Sequence, residues 1–377
     1  MSREGFMEFK IGRNIFLDGI QKTLGIVEKK TTMPILNNVM IRASKQGIKI
    51  SATDREIGLV ADYEASVDHE GDVTLSARKL YEMIREIQGD TIHFYKNDQC
   101  LVTLTAQKAI YKIPGISADD FPAVVINEDV NFFRMRGQML KDMIVKTAFS
   151  MSSDEVRKNL NGVFFESDEE KQGILKAVAT DGHRLALVSA YSGDKDFLKL
   201  EKGIIIPRKG ISEIKKLLES ETGDILIGVQ QGMCVIKTDH TMLKVSLIDA
   251  EYPDYRRVIP AEKGIIVQFE KEAVLHALRR MSVISSERYS GVIVKLQENK
   301  IILNSTNPDV GEANDEIDVI YQGNSMEIGY NVNYLIDAIE VMEEKNVVFE
   351  MRSGMKPGVI RPVDNIHHFC IIMPLKI

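Results

Sequence analysis

The side chains best placed for chemistry stand in Ala179-Thr-Asp-Gly-His-Arg-Leu185. His183, two residues after Asp181, could move a proton as an imidazole does beside a carboxylate in general acid–base catalysis. Nothing completes that chemistry. Ser189 follows in a strand-like apolar run, not in the strained elbow that exposes a nucleophile. No Gly-rich phosphate loop of the mononucleotide or dinucleotide type occurs. The adjacent His367 and His368 have only Asp364 nearby, too little for a metal. Cys100, Cys234 and Cys370 stand far apart, make no paired ligand spacing, and are expected to be reduced and structural. The expectation is a protein with no catalytic residue, no metal and no cofactor.

What remains distinctive is the turn itself, because it has an echo. Ala52-Thr-Asp-Arg-Glu-Ile-Gly-Leu-Val60 has the same polar-turn-then-apolar-strand design, 127 positions earlier. A unit that repeats at domain length is a statement about architecture. The chain has 377 residues, beyond the ~250–300 at which one core usually divides, so two or three domains are expected. With 44% hydrophobic and 27% charged residues, the composition is that of an ordinary globular protein. Apolar runs are too short to span a bilayer. Met1-Ser-Arg-Glu-Gly5 leads into the chain without an apolar signal segment, so a cytoplasmic location is expected.

Three segments superimpose by pattern. Each starts with an amphipathic helix, at 13–24, 137–148 and 271–281, with apolar residues at spacings of three and four. The inward faces are Leu17, Ile20 and Leu24; then Leu140, Met143, Ile144 and Thr147; then Val274, Leu275, Leu278 and Met281. Strands follow at 38–43, 162–167 and 291–296. Next come strands ending in an Asp or Asn turn at 48–54, 175–181 and 300–307. A second helix is predicted at 76–87, 207–218 and 331–342, then short β runs. Phe121-Pro122 and Tyr252-Pro253 mark extended connectors, since proline restricts its predecessor. The boundaries are 1–127, 128–257 and 258–377. The fold class is α+β, with antiparallel sheets and helices on one face.

A net charge of −7 argues against nucleic acid until the charges are located. The six helical windows, 12–30, 76–87, 134–149, 204–218, 270–280 and 331–345, together carry +7, leaving −14 for the remainder. The last window carries −3, so if the other five helices share a face, that face is basic on an acidic protein and attracts phosphates without reading bases. The competing reading is a repeat scaffold that binds only proteins and whose lysines are merely solvated.

The residues also resemble a known family. Ala179-Thr-Asp-Gly-His-Arg-Leu185, Tyr252-Pro-Asp-Tyr-Arg-Arg-Val258 and Ile372-Met-Pro-Leu375 are similar to the bacterial DNA polymerase III beta subunit, the replicative sliding clamps. Asn159-Leu-Asn-Gly162, Pro207-Arg-Lys-Gly210 and Ile328-Gly-Tyr-Asn-Val332 agree as well, so the likeness covers essentially the whole chain. It implies three tandem copies of the clamp domain and a head-to-tail homodimer closing into a six-domain ring, helices inside and sheets outside. That ring would encircle duplex DNA without sequence specificity and act as a polymerase processivity factor. The implied partners are a clamp loader, the replicative polymerase alpha subunit, other polymerases, and mismatch repair and ligase factors carrying short linear motifs. No membrane partner is implied.

The resemblance also implies sites. Motif peptides would bind a pocket between the second and third domains. Its wall would comprise Leu160, Thr180, Gly182, His183, Arg184, Leu185, Pro253, Arg257 and Val258, with Asn331, Tyr334, Met355, Pro357, Ile371, Ile372, Met373, Pro374 and Leu375. Apolar members would seat Leu and Phe anchors, while Arg and His would hydrogen-bond the peptide. The stretch Gly354-Met-Lys-Pro-Gly358 departs from the family pattern there, and Leu375-Lys-Ile377 ends in Lys-Ile where Arg-Leu is usual. DNA-lining candidates are Lys29, Lys30, Arg78, Lys79, Arg136, Lys141, Arg157, Lys158, Arg208, Lys209, Lys215, Arg279 and Arg280. The ring contact would set Tyr111 and Ile113, on an edge strand, against Val283 and Ile284.

Overall fold

The computed structural model describes residues 5–27, 33–125, 130–168, 170–192, 200, 202–221, 223–286 and 290–376. The first repeat begins with β1 (Met7–Gly12), which runs directly into α1 (Arg13–Thr23). A meander of β2 (Asn38–Ser44), β3 (Gly47–Thr53) and β4 (Ile57–Tyr63) follows. Then come β5 (Ser66–His69), β6 (Gly71–Ser76) and α2 (Ala77–Glu86). The repeat closes with β7 (Thr91–Lys96), β8 (Leu101–Ala106) and β9 (Ala109–Pro114).

The second repeat has β10 (Phe132–Arg136), α3 (Gly137–Thr147), β11 (Gly162–Ser167), β12 (Ile174–Thr180) and β13 (Arg184–Tyr191). It continues through β14 (Ile204–Pro207), α4 (Arg208–Ser220), β15 (Asp224–Gln230), β16 (Met233–Lys237) and β17 (Thr241–Ser246). The third has β18 (Ile265–Glu270), α5 (Lys271–Ser282), β19 (Gly291–Gln297), β20 (Lys300–Asn307) and β21 (Gly311–Asp318). It ends with β22 (Met326–Asn331), α6 (Val332–Glu340), β23 (Asn346–Met351), β24 (Gly358–Pro362) and β25 (His368–Ile372).

The threefold order agrees with the sequence pattern, with one correction. Each repeat opens on a strand, not on a helix. β1, β10 and β18 each pass into a helix without a loop, so the helical periodicity masks the short alternating run before it. The helix faces of α3 and α5 are the expected ones, with Leu140, Met143, Ile144, Val274, Leu275, Leu278 and Met281 all buried. On α1 the face is rotated: Phe16, Gly19, Ile20 and Thr23 are buried, whereas Leu17 and Leu24 are only half-buried. Gly19 explains the rotation. A Cβ there would stand 2.7 Å from Ile50 and 2.8 Å from Tyr63, so the helix seats its bare backbone on β3 and β4.

Contacts divide the chain into two compact units, Met1–Gln138 with Ser212–Leu247, and Met139–Ile211 with Ile248–Ile377. The middle repeat is thus shared between them. The first unit contains a five-stranded sheet, β5-β1-β7-β8-β9, and an eight-stranded one, β10-β15-β16-β17-β4-β3-β2-β6. The second contains β14-β11-β12-β13-β25-β24-β23-β18 and the four-stranded β21-β20-β19-β22. Strand pairs in all four sheets are antiparallel, as expected from the short connections. Each eight-stranded sheet joins two repeats, through β17 on β4 in one unit and β25 on β13 in the other. Strands that would otherwise be edges gain hydrogen-bond partners, which is why compact units ignore repeat boundaries.

Candidate functional site

The site begins with the turn between β12 and β13. Asp181 Oδ1 accepts from the amides of His183 (2.9 Å) and Arg184 (3.0 Å), and Thr180 Oγ1 donates to the Arg184 carbonyl at 2.6 Å. Gly182 takes φ +91°, a conformation in which glycine has no steric penalty. The turn then holds the chain end. The amide of Met373 donates to the His183 carbonyl (2.9 Å), and that of Leu375 to the Gly329 carbonyl (2.8 Å). Pro374 is buried between them, leaving Met373 and Leu375 partly exposed.

The pleat sorts the predicted wall onto two faces of one sheet. Leu160, Leu185 and Ile371 enter an apolar cluster with Phe164, Val178, Tyr252, Tyr255 and Val359. Ile372 enters a different cluster with Ala186, Ile360, Cys370 and Tyr330, against which Tyr334 packs. The first face is the one that would floor a pocket of the kind the resemblance implies. At its margins Pro253, Arg257, Val258, Met355 and His183 are exposed. Pro357 adjoins Gly358, which lies opposite Ile372 in the sheet.

Arg184 is corrected by the structure. Its guanidinium donates to Asp181 (3.0 Å), Asp337 (2.5 Å) and the Phe149 carbonyl (2.6 Å), and lies 4.4 Å from the centre of the Tyr334 ring. Three of its five N–H donors are thus engaged within the chain, leaving fewer for a peptide than the resemblance implies. Asn331 likewise serves the fold, accepting from the amides of Asn333 and Tyr334 to cap α6. Ile372 has no exposed surface. Tyr252, Tyr255, Val359 and Phe369 were missed in the sequence, although Phe369 and Ile371 alternate correctly for one face of a strand. The linker tyrosines are fixed firmly. Tyr252 stacks on Phe164 with ring centres 4.5 Å apart, and Tyr255 donates to Glu166 at 2.5 Å.

The basic candidates fall into two groups. Lys79 pairs with Glu82, Arg279 with Glu340, and Arg280 with Asp315. Arg157 pairs with Asp154, and Arg208 donates to the carbonyls of Met151 and Ser152. Lys209 is half-buried. Arg78, Arg136, Lys158 and Lys215 are exposed, Lys141 is half-buried, and none of these five side chains has an ion pair with a described residue. Lys29 and Lys30 lie outside the described residues. Arg136 stands on β10, and Arg157 and Lys158 stand at the start of a single 3-10 turn (Lys158–Leu160), so none of the three belongs to an α-helix.

Of the ring-contact residues, Val283 is 78% exposed at the end of α5 and Ile284 is half-buried. Tyr111 is half-buried on β9, the edge of the five-stranded sheet. Ile113 is a correction: it is buried opposite Val102, because the pleat turns it inward. Ile110, 63% exposed on the same strand, is the apolar residue actually presented.

Among the described residues no helix is long and apolar enough to cross a membrane. Compared with known proteins, residues 7–125, 134–254 and 256–376 match the N-terminal, central and C-terminal domains of the DNA polymerase III beta subunit. The beta sliding clamp of Pseudomonas putida is 30% identical over 372 residues, covering 98% of this chain and all of that protein. The crystal structure of the DNA polymerase III subunit beta from Pseudomonas aeruginosa superimposes with a TM-score of 0.91 at 30% identity, covering 98% of this chain and 100% of that one. The sliding clamp from Bartonella birtlesii, solved bound to griselimycin, gives 0.94 at 28% identity over 99% of this chain and 100% of that one. The chain therefore belongs to the DNA polymerase III beta subunit family, the beta sliding clamps.

Proposed function

We propose that two copies of this chain close head to tail around duplex DNA and hold short linear motifs of their partners in the pocket floored by Leu160, Leu185 and Ile371. A beta sliding clamp is a polymerase processivity factor, a non-catalytic accessory subunit. The observation that carries the encircling reading is that α1 to α5 carry net charges of +1, +1, +1, +2 and +2 in a chain of net charge −7. Such a surface attracts a phosphate backbone through counterion release and makes few fixed base contacts, which sliding requires. A closed ring replaces affinity with topology, so each contact can be weak.

The ring contact would pair the open edge of β9, which carries Lys112 and follows Lys108, with the open edge of β21 from the second copy. β21 carries Glu312, Asp315, Glu316 and Asp318, so the edges are complementary in charge. Val283, Ile284, Tyr111 and Ile110 would supply the apolar contact. Partners in the pocket would be the replicative polymerase alpha subunit, other polymerases, the clamp loader, and repair and ligase factors, acting at the bacterial nucleoid in the cytoplasm.

The test is retention after loading. A loaded ring stays on circular duplex and runs off linear duplex of the same length; equal retention on both overturns encirclement. Val283→Asp with Ile284→Asp should give monomers by sedimentation, since burying unpaired charge costs about 3–5 kcal/mol. An unchanged dimer mass moves the interface elsewhere.

A further inference from the structure

The hairpin between β23 and β24 carries Met355 and Pro357 on the pocket margin, and its base is held by an unusual residue. The Arg352 side chain is only 7% exposed. Its Nε and Nη2 both donate to the Glu262 carbonyl, at 3.0 and 2.8 Å. Nη1 donates to the carbonyls of Pro357 (3.2 Å) and Glu350 (3.4 Å), and Nη2 also meets Glu350 Oε1 at 2.5 Å. Glu350 Oε1 in turn accepts from the Gly264 amide at 2.6 Å. One planar group thus joins two stretches of chain that are remote in sequence. Residue 262 lies four positions after Val258 on the linker margin, and residue 357 ends the hairpin.

Only a planar fork satisfies such an arrangement. A guanidinium offers donors at fixed angles in one plane, while a lysine ammonium is a point charge with tetrahedral donors. Gly354, with φ +74°, turns the hairpin tip. Met355 beyond it is 59% exposed. The exposed Lys356–Glu262 pair at 2.6 Å spans the same gap, but exposed pairs contribute little.

We propose that Arg352 is a positioning residue for the peptide pocket: it fixes the spacing between the linker margin at Val258 and the hairpin margin at Met355, and so sets motif affinity. This rests on the pocket reading above. The full-length dimer is titrated with a labelled short peptide carrying Leu and Phe anchors, in a double-mutant cycle. Met355→Ala should weaken binding about ten-fold and Arg352→Lys about five-fold. The double variant should bind no worse than Met355→Ala alone, because the arginine acts through the methionine. Leu160→Ala on the floor should instead be additive with Arg352→Lys.

Arg352→Met with Glu350→Gln, which strands no charge, should reproduce the Arg352→Lys loss; failure to do so overturns the role. Wild-type affinity in Arg352→Lys, or additivity between Arg352→Lys and Met355→Ala, overturns it also. If the wild-type chain does not bind the peptide at all, the pocket reading falls and this proposal with it; the other outcomes defeat the proposal alone.

Discussion

The same turn is built twice, once in each unit, and only one copy borders the face on which a motif pocket is proposed. In the first unit Asp54 Oδ1 accepts from the amides of Glu56 (2.9 Å) and Ile57 (2.6 Å), and Thr53 Oγ1 donates to the Ile57 carbonyl (2.8 Å). These are the bonds made by Asp181 and Thr180. Each turn leads into a strand that joins two repeats, with Ile57 opposite Val245 and Arg184 opposite Ile372. Aligning those registers compares the outer faces directly. Where the second unit has Phe164, Val178, Leu185 and Ile371, the first has Met40, Ser51, Gly58 and Lys244. The scaffold is common to both, but the apolar side chains were placed only in the second.

The first unit fills the gap from its own linker. A Cβ on Gly58 would lie 2.7 Å from a methyl of Val124, and Lys244 donates to the Val125 carbonyl at 2.8 Å. A cleft of about 920 Å³ remains beside that linker, but Arg42, Lys49, Asp72 and Asp119 share its lining with Met40, Phe121 and Met242. Burying charged groups under a peptide costs free energy unless each finds a partner. A backbone motif thus makes the turn, and neighbouring side chains make the function.

The largest expected effect tests that contrast directly. Removing residues 373–377 should weaken motif-peptide binding about a thousand-fold by calorimetry, a change of about 4 kcal/mol, while leaving the dimer intact. Full-affinity binding by the truncated chain would move the site, and the first-unit cleft would then need reconsideration.

The next contrast is in pH. Thr241 and His368 occupy equivalent buried positions on β17 and β25, both with an unpaired polar atom. Burial, reinforced by Lys146 and only partly opposed by Glu343, pushes the His368 imidazole down from 6.5 to about 4. The unfolded chain then binds a proton that the folded chain refuses. Stability from this group is constant above pH 6.5 and falls as pH drops from 6.5 to 4, by about 3 kcal/mol at most. His368→Thr should flatten that slope in urea titrations, and an unchanged slope assigns acid sensitivity elsewhere.

Smaller effects sharpen the comparison. Gly58→Leu restores the second unit's residue at the equivalent place, yet should cost about 2 kcal/mol, because Val124 already occupies the space. A neutral result in thermal unfolding would mean the linker moves freely aside. Smallest is the turn residue itself. Arg55 holds φ +80° where its counterpart is Gly182, so Arg55→Gly should stabilise the first unit by up to about 1 kcal/mol. Destabilisation would show that the Arg55 side chain contributes contacts worth more than the backbone strain.

Much of this was legible in the residues alone because it is local. Helix faces follow from spacings within a dozen residues, and the Asp turns from a side chain bonding its own downstream amides. The repeat, the basic helices and the family likeness are likewise properties of the string. The errors have the same origin. Periodicity puts Leu17 in the core on α1 because it cannot see that Gly19 is pressed onto Ile50 and Tyr63. Ile113 was read as an interface residue because a lone strand does not reveal which of its faces the sheet will cover.

The sequence by itself determined three copies of one unit, their helices and turns, and where positive charge concentrates, all of which depend on neighbours a few residues away. Tertiary structure alone decided that Leu185 and Ile371 share a face while Arg184 and Ile372 turn from it. It also decided that β17 and β25 each close onto a strand of an earlier repeat, and that Arg352 joins residue 262 to residue 357. Those outcomes depend on which distant strands pair and in what register, and a shift of one residue would reverse every face.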